Sequence, residues 1–187
     1  MMFKRVESKW ELDRFNNIWT TVWLEKGFDL DFSEHVLDQF VIVTEEGDYI
    51  GTSEIKPYNI HDSMINEIAP FANYPLIRQA EEGVIAEIDK IAVLSQYRGN
   101  NIADLLSGSI LYGKEKKIQY YVALMEPVFL RALRITFQVP FEKVGGKVFY
   151  KGDYVVPVII DIEKMYNNKE QYPWIIYPQE VSQTRKT

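Results

Sequence analysis

Residues 84–117 read VIAEIDKIAVLSQYRGNNIADLLSGSILYGKEKK, and the fold is organised around them. The apolar, β-branched run from Val84 to Val93 predicts a strand. A short polar loop at 95–101 follows, and apolar residues then recur with helical spacing from Ile102 onward. This order of strand, loop and helix places free N–H groups and the positive end of a helix dipole at the loop. Such a site suits a phosphate.

Two loop residues strengthen the phosphate prediction. Arg98 adds a positive charge, and Gly99 lets the backbone approach a ligand closely. The alternative is an ordinary turn with a surface arginine. The segment Gln96-Tyr-Arg-Gly-Asn-Asn-Ile-Ala103 resembles the Gln/Arg-x-x-Gly-x-Gly/Ala signature of the GNAT superfamily of N-acetyltransferases. In that superfamily the loop holds the pyrophosphate of coenzyme A.

The resemblance assigns a set of residues to the coenzyme. The backbone of residues 91–93 resembles the family segment that binds the pantetheine arm and polarises the thioester carbonyl. Asn101 stands where the family prefers Gly or Ala, but Asn can adopt a left-handed conformation or cap a helix. The predicted coenzyme-binding residues are Ile91, Ala92, Val93, Gln96, Tyr97, Arg98, Gly99, Asn100, Asn101, Ile102 and Ala103.

The order of elements over residues 3–161 also resembles a GNAT domain. The resemblance implies that this chain has an α+β (α/β) fold, with a mixed, mostly antiparallel central sheet flanked by helices and one central parallel strand pair. The elements expected from pattern are a first strand at 3–6, a helix at 8–24, a hairpin at 40–56, the strand at 84–93 and its helix, a parallel strand at 118–124, a helix at 126–137 and a closing hairpin at 147–161. Residues 57–83 are expected to form short helices beside the acceptor site.

Three further stretches resemble one branch of the superfamily, the acyl-homoserine-lactone and long-chain N-acyl amino acid synthases. They are residues 25–31, 51–57 and 145–152. That branch is implied to use acyl groups longer than acetyl, often from acyl carrier protein rather than coenzyme A. The donor is therefore an open question at this stage.

Glu87 and Asp89 are the predicted catalytic residues. They lie two apart on one strand, so both point to the same face of the sheet. Glu87 resembles the glutamate that serves as a base in several GNAT members, and Asp89 is the reserve. The alternative is that these carboxylates bind the charge of the acceptor or pair with Lys or Arg.

The helix after the 118–124 strand departs from the GNAT pattern. Family members carry an Asn near its start and a Tyr near its end, where this chain has Glu126 and Thr136. The Tyr is often proposed to protonate the leaving thiolate, so no acid transfers from the family. Tyr150 and Tyr154 on the closing hairpin are the fallback candidates.

Composition limits the partners. The chain has 187 residues, a net charge of −6 and no cysteine. The negative charge argues against nucleic acid and favours an amine-bearing acceptor. Without cysteine there is no thiol nucleophile or disulfide, and the two histidines show no metal-ligand spacing, so no metal is expected.

The expected organisation is a single domain at 1–165 with a C-terminal tail at 166–187. No apolar run long enough to span a membrane is seen, and the first residues lack the apolar segment of a signal peptide. We therefore expect a cytoplasmic protein without a membrane partner, either monomer or homodimer.

The sequence predicts an N-acyltransferase that moves an acyl group, most simply acetyl, from acyl-coenzyme A (acetyl-CoA) to a small-molecule amine by direct transfer. Two alternatives stay open. One is an acyl-carrier-protein-dependent synthase of N-acyl amino acids or homoserine lactones. The other is a module that binds coenzyme A without catalysis.

Overall fold

A computed structural model describes residues 2–99 and 101–177. The helices are α1 (Lys9–Glu25), α2 (Ile65–Ile68), α3 (Pro75–Gln79), α4 (Asn101–Lys116), α5 (Pro127–Ile135) and α6 (Ile162–Asn167). The strands are β1 (Met2–Arg5), β2 (Asp38–Val43), β3 (Tyr49–Pro57), β4 (Ile85–Val93), β5 (Tyr120–Met125), β6 (Phe141–Lys143), β7 (Val148–Tyr150) and β8 (Asp153–Asp161). Sequence patterns predicted most of these elements, and β6 and α6 are additions.

The strands form one mixed sheet in the order β1-β2-β3-β4-β5-β8-β6, with β7 paired to β8. The pair β4–β5 is parallel, and the other strand pairs are antiparallel. The parallel pair follows from α4, because a helix that connects two strands returns the chain in the same direction. The predicted fold class is confirmed.

Helices cover both faces of the sheet. On one face, Phe15 and Trp19 of α1 pack on Val41 and Ala92. On the other face, Leu105 of α4 packs in the cluster that contains the neighbouring strand residues Ile42 and Val93. The buried residues of α2 and α3 share a cluster with Val122 of β5, whereas those of α5 and α6 share one with Ala123. Because side chains alternate along a strand, α1–α3 lie on one face and α4–α6 on the other.

Helix α1 begins as predicted. The Ser8 hydroxyl accepts a hydrogen bond from the Glu11 N–H, and the Glu11 carboxylate accepts one from the Ser8 N–H. This reciprocal capping box satisfies two backbone donors that a helix start leaves free. Gly27, with φ of +82°, follows the last turn.

The chain after β8 folds back onto α4. The predicted domain boundary at residue 165 falls inside α6, and Tyr172 and Ile175 beyond it are buried. The Ile176 N–H donates to Ser107 Oγ on α4 at 2.9 Å. In the part of the chain that the structure describes, no helix has the length and apolar character needed to cross a bilayer.

The strands β4 and β5 part at the centre of the sheet. Their pairing joins Ile85–Glu87 to Tyr120–Val122. Beyond these residues β4 continues to Val93 beside β3, while β5 continues to Met125 beside β8. The two strands therefore diverge, and backbone groups of β4 that would pair with β5 face a gap.

Candidate active site

A cavity of about 840 Å³ occupies the gap between β4 and β5. Its lining includes Lys56 and Glu87 on the α1–α3 face, and Ile102, Leu105 and Phe129 from helices on the other face. The cavity therefore passes through the sheet. A passage of this kind lets two molecules approach one point from opposite sides.

Most of the predicted site residues meet at this cavity, but some do not. Those that line it are Glu87, Asp89, Ile91, Ala92, Val93, Arg98 and Ile102. Gln96 and Tyr97 instead line a separate cleft of about 400 Å³. Asn100 lies outside the described residues.

The loop before α4 carries the features that an anion site needs. Arg98 Nε donates to the Val93 carbonyl oxygen at 3.2 Å, and Arg98 Nη2 lies 3.5 Å from Glu25 Oε2. An exposed ion pair of this kind contributes about 0–1 kcal/mol, so a phosphate can replace Glu25 as the partner. Gly99 has a φ of +106°, which favours glycine, and the 16-residue helix α4 begins two residues later. The Arg98 side chain and the backbone N–H groups at the start of α4 are donors that fit a diphosphate group.

Asn101 and Ala103 have structural contacts of their own. Asn101 Nδ2 donates to the Tyr97 carbonyl oxygen at 2.6 Å and closes the loop onto the first turn of α4. Ala103, in the first turn of α4, packs against the hydrophobic core. The loop therefore holds its shape partly through the asparagine that departs from the family signature.

The short 3₁₀ turn at Ser95–Tyr97 directs its side chains away from the cavity. The Tyr97 hydroxyl donates to Asp48 Oδ2 at 3.2 Å, and Gln96 lines the same cleft as Trp10 and Arg14 of α1. The prediction that all residues from 96 to 103 serve one site is not matched by this geometry.

Lys56 holds the two predicted catalytic carboxylates together. Its Nζ lies 2.5 Å from Glu87 Oε1 and 3.0 Å from Asp89 Oδ2. The three side chains are largely buried, with 20%, 15% and 26% of Lys56, Glu87 and Asp89 exposed. The prediction that both carboxylates share a face agrees with these contacts, and so does the alternative that they pair with a lysine.

The two carboxylates differ in acidity. Burial raises the pKa of Glu87 above its usual range, because the pull of Lys56 does not offset it and Asp89 adds a like charge. Burial also opposes ionisation of Asp89, but Lys56 and Lys90 together lower the pKa of that carboxyl. For Lys56, burial lowers the pKa, and the attraction of Asp89 and Glu87 outweighs it, so the net shift is upward. Asp89 is thus the fixed anion, and Glu87 is the group better suited to accept a proton.

A β-bulge in β4 lies beside this cluster. Thr52 pairs with Ala92 and Glu54 with Asp89, so Ser53 faces both Lys90 and Ile91. Lys90, with φ of +47°, is the extra residue of the bulge. The bulge turns its side chain toward α1, where its ammonium lies 5.1 Å from the Trp19 ring centroid.

Lys90 forms a buried ion pair with Glu54. Both side chains are almost completely buried, at 2% and 1% exposed. The Lys90 ammonium also lies 2.5 Å from Ser33 Oγ, and Gln39 Nε2 donates to Glu54 Oε2 at 2.7 Å. Each charge therefore has hydrogen-bonding partners, as a buried pair requires. This pair was not predicted from the sequence, because alternation along a strand would place Lys90 on the other face from Asp89.

Further ion pairs join the two sides of the cavity. Lys26 near the end of α1 binds Glu126 Oε2 at 2.9 Å, and Glu126 also caps α5 by accepting from the Val128 and Phe129 N–H groups. Glu126 is thus a structural residue here. Lys151, after β7, pairs with Asp31.

The fallback tyrosines separate in the structure. Tyr150 lines the cavity, whereas Tyr154 is 52% exposed and packs edge-on against Phe149. Tyr150 is thus the one of the two that can reach a molecule in the cavity. Sequence position alone did not distinguish them. The register of the β7–β8 hairpin distinguishes them, because it pairs Tyr150 with Asp153 and Tyr154 with Phe149.

Several solved structures share this architecture. FeeM, an N-acyl amino acid synthase from uncultured soil microbes, superposes with a TM-score of 0.72 at 15% identity, over 93% of this chain and 96% of its own. The chain has a GNAT fold. The acyl-homoserine-lactone synthase LasI gives a TM-score of 0.65 at 16% identity, over 95% and 96% of the two chains. MesI, a CoA-dependent acyl-homoserine lactone synthase, gives 0.63 at 13% identity, over 95% and 97%.

At these identities the similarity concerns the fold. Neither a protein-family model nor a curated protein matches the sequence. The predicted resemblance to GNAT proteins, including acyl-homoserine-lactone and N-acyl amino acid synthases, is confirmed at the level of the fold. The roles of the individual site residues rest on the geometry described above.

We predict that Lys90→Met lowers the free energy of unfolding by about 3–5 kcal/mol, because it leaves the Glu54 carboxylate buried without a counter-charge. Urea denaturation would measure the loss. The double variant Lys90→Met/Glu54→Gln should recover most of it, since no buried charge then remains. A double variant that is as unstable as the single one would show that packing, and not charge, explains the effect.

Proposed function

We propose that the protein is an N-acyltransferase that moves an acyl group from acyl-coenzyme A directly to an amine. The observation that carries this proposal is the passage through the sheet, which has an anion site near one end and a buried carboxylate pair at the other. A donor and an acceptor that enter from opposite faces can meet in the gap between β4 and β5. Such positioning is a major source of rate acceleration in bimolecular transfer.

The anion site supports coenzyme A as the donor. Arg98 and the first turn of α4 suit its diphosphate, and the gap leads from there to β4. When bound, the coenzyme would supply an activated thioester carbonyl. The backbone of residues 91–93 lines the gap, where its polar groups can hold the pantetheine arm and polarise that carbonyl.

The carboxylate pair supports an amine as the acceptor. An ammonium group cannot attack a carbonyl, so a proton must leave the nitrogen before or during the attack. Glu87, whose pKa is raised, accepts this proton. Lys56, which also contacts Asp89, holds the Glu87 side chain in place. The new C–N bond forms as the C–S bond breaks, and the departing thiolate takes up a proton. Tyr150 is the cavity residue that we assign to this last step, because its phenol lines the cavity.

The cavity volume favours a wider range of acyl groups than acetyl alone. The wall on the α4–α5 side is apolar, and about 840 Å³ exceeds what an acetyl group needs beside the pantetheine arm. Acetyl is the simplest donor, and longer chains fit the same space.

Acyl carrier protein is the second candidate donor, because the fold is shared with N-acyl amino acid and acyl-homoserine-lactone synthases. A strongly acidic carrier needs a basic docking surface. Lys114, Lys116 and Lys117 are the compact basic group in the sequence. They lie at the far end of α4, about 20 Å from the loop by the rise of a helix. This placement favours free acyl-CoA.

The donor is tested by comparing turnover with acetyl-CoA, a long-chain acyl-CoA and the matching acyl carrier protein at low and moderate salt. We expect transfer from at least one acyl-CoA, with little dependence on the carrier protein. A strong, salt-sensitive preference for the carrier protein would replace coenzyme A as the donor. Binding of coenzyme A without turnover of any thioester would favour a non-catalytic module.

We predict that Gly99→Val weakens coenzyme A binding about tenfold, because a β-branched residue is strained at a φ of +106°. Isothermal calorimetry with coenzyme A would measure this. The loss should exceed that of Arg98→Gln, since the loop shape positions several donors and Arg98 supplies one. Gly146→Val is the matched control, because a Cβ there meets open space and the backbone needs no positive φ. Unchanged affinity in Gly99→Val would place the coenzyme elsewhere.

We predict that Glu87→Gln lowers kcat about 100-fold near neutral pH, as expected when a general base is lost. At high pH the acceptor supplies its own neutral fraction, so the defect should shrink. A pH–rate profile for both proteins tests this. Glu82→Gln, at an exposed carboxylate before β4, should leave the profile unchanged. An equal loss at every pH would assign Glu87 a binding role.

A further inference from the structure

The cationic side chains that line the cavity form ion pairs with carboxylates of the same chain. Five lysine and arginine side chains line it in the described part of the chain. Each has a carboxylate partner within the chain, and the pairs are Lys26–Glu126, Lys56–Glu87 and Asp89, Lys90–Glu54, Arg98–Glu25 and Lys151–Asp31. Arg98 is exposed, and it lies at the diphosphate end of the proposed site.

The acceptor end of the cavity carries more negative than positive charge. One lysine, Lys56, serves both Glu87 and Asp89, so an ionised trio has a net charge of −1. Two exposed carboxylates, Glu34 and Asp62, add to the lining on the same side. A cation that enters here is attracted, and an anion is repelled, with an energy that grows as water is excluded.

The mouth of the cavity is apolar beside these charges. Phe32 and Met64 line the cavity on the α1–α3 side and are 59% and 74% exposed. Large apolar side chains grouped at an opening are typical of a binding site for an apolar group. The entrance therefore suits a molecule with a hydrocarbon part and a positive charge.

We propose that the acceptor is an alkyl or arylalkyl amine that carries no carboxylate of its own. This inference rests on the proposed function. If the acceptor nitrogen reaches Glu87, an α-carboxylate on the adjacent carbon comes close to Asp89. Lys56 cannot serve it without giving up its contact with Glu87 or with Asp89. An amine without the carboxylate avoids both costs, and its hydrocarbon part contacts the apolar mouth.

Matched acceptors test the proposal. Isoamylamine and leucine differ by one α-carboxylate, as do phenethylamine and phenylalanine. Leucinamide has the bulk of leucine without its negative charge. With a saturating acyl-CoA that the enzyme turns over, we expect kcat/KM to be at least tenfold higher for each amine than for its amino acid. Leucinamide should behave like isoamylamine once the values are corrected for the fraction of neutral amine.

A charge variant separates electrostatic from steric exclusion. Asp89→Asn removes one negative charge beside the acceptor, so the ratio of isoamylamine to leucine should fall at least threefold, whatever happens to the absolute rate. Glu82→Gln, outside the cavity, should leave the ratio unchanged.

The possible failures are distinct. Equal or better transfer to leucine would overturn this inference and leave the acyltransferase proposal intact. Poor transfer to both leucine and leucinamide would show that bulk, not charge, excludes the amino acid, and would overturn it as well. Transfer to no amine at all, with coenzyme A still bound, would overturn the proposed function and this inference with it.

Discussion

The extra residue at Lys90 is the constraint on which the site depends. A regular strand would direct Lys90 away from α1, and Glu54 would then be buried without a counter-charge. The bulge brings the two together under Trp19. It lies three residues beyond Glu87, the last residue of β4 that pairs with β5, and bulges increase the local twist of a strand. One inserted residue therefore connects a buried charge pair, the opening of the sheet and the backbone that faces the gap.

The same bulge contributes to the difference in acidity between the two carboxylates of β4. Asp89 lies directly before it and feels both Lys56 and Lys90, which lower its pKa. Glu87 lies two residues earlier, where burial has the larger effect and raises its pKa. The two carboxylates therefore differ in their neighbours as well as in their positions along β4. The asymmetry makes Glu87 the better proton acceptor of the two and favours the ionised form of Asp89.

Much of the fold could be predicted from the sequence, since the order of strands and helices follows from periodicity, capping and turn chemistry. That Glu87 and Asp89 share a face could be predicted because alternation along a strand is a local rule, and both line the cavity. Lys56 and Lys90 were missed, because both depend on register. Lys56 meets β4 only through the pairing of β3 with β4, and the position of Lys90 depends on an irregularity that no residue type marks. Gln96 and Tyr97 fit the family signature, but the 3₁₀ turn at 95–97 directs them into another cleft.

The position of β8 has a consequence for how the chain is made. Among the strands of the described residues this one is synthesised last, yet it pairs with β5 on one side and with β6 and β7 on the other. A nascent chain that ends before Asp153 leaves one edge of β5 unpaired, and such an edge is prone to pair with other chains. The β5 wall of the cavity is therefore completed only after residues 153–161 have been synthesised. Small molecules that bind the cavity can stabilise the finished protein, but they cannot guide its early folding.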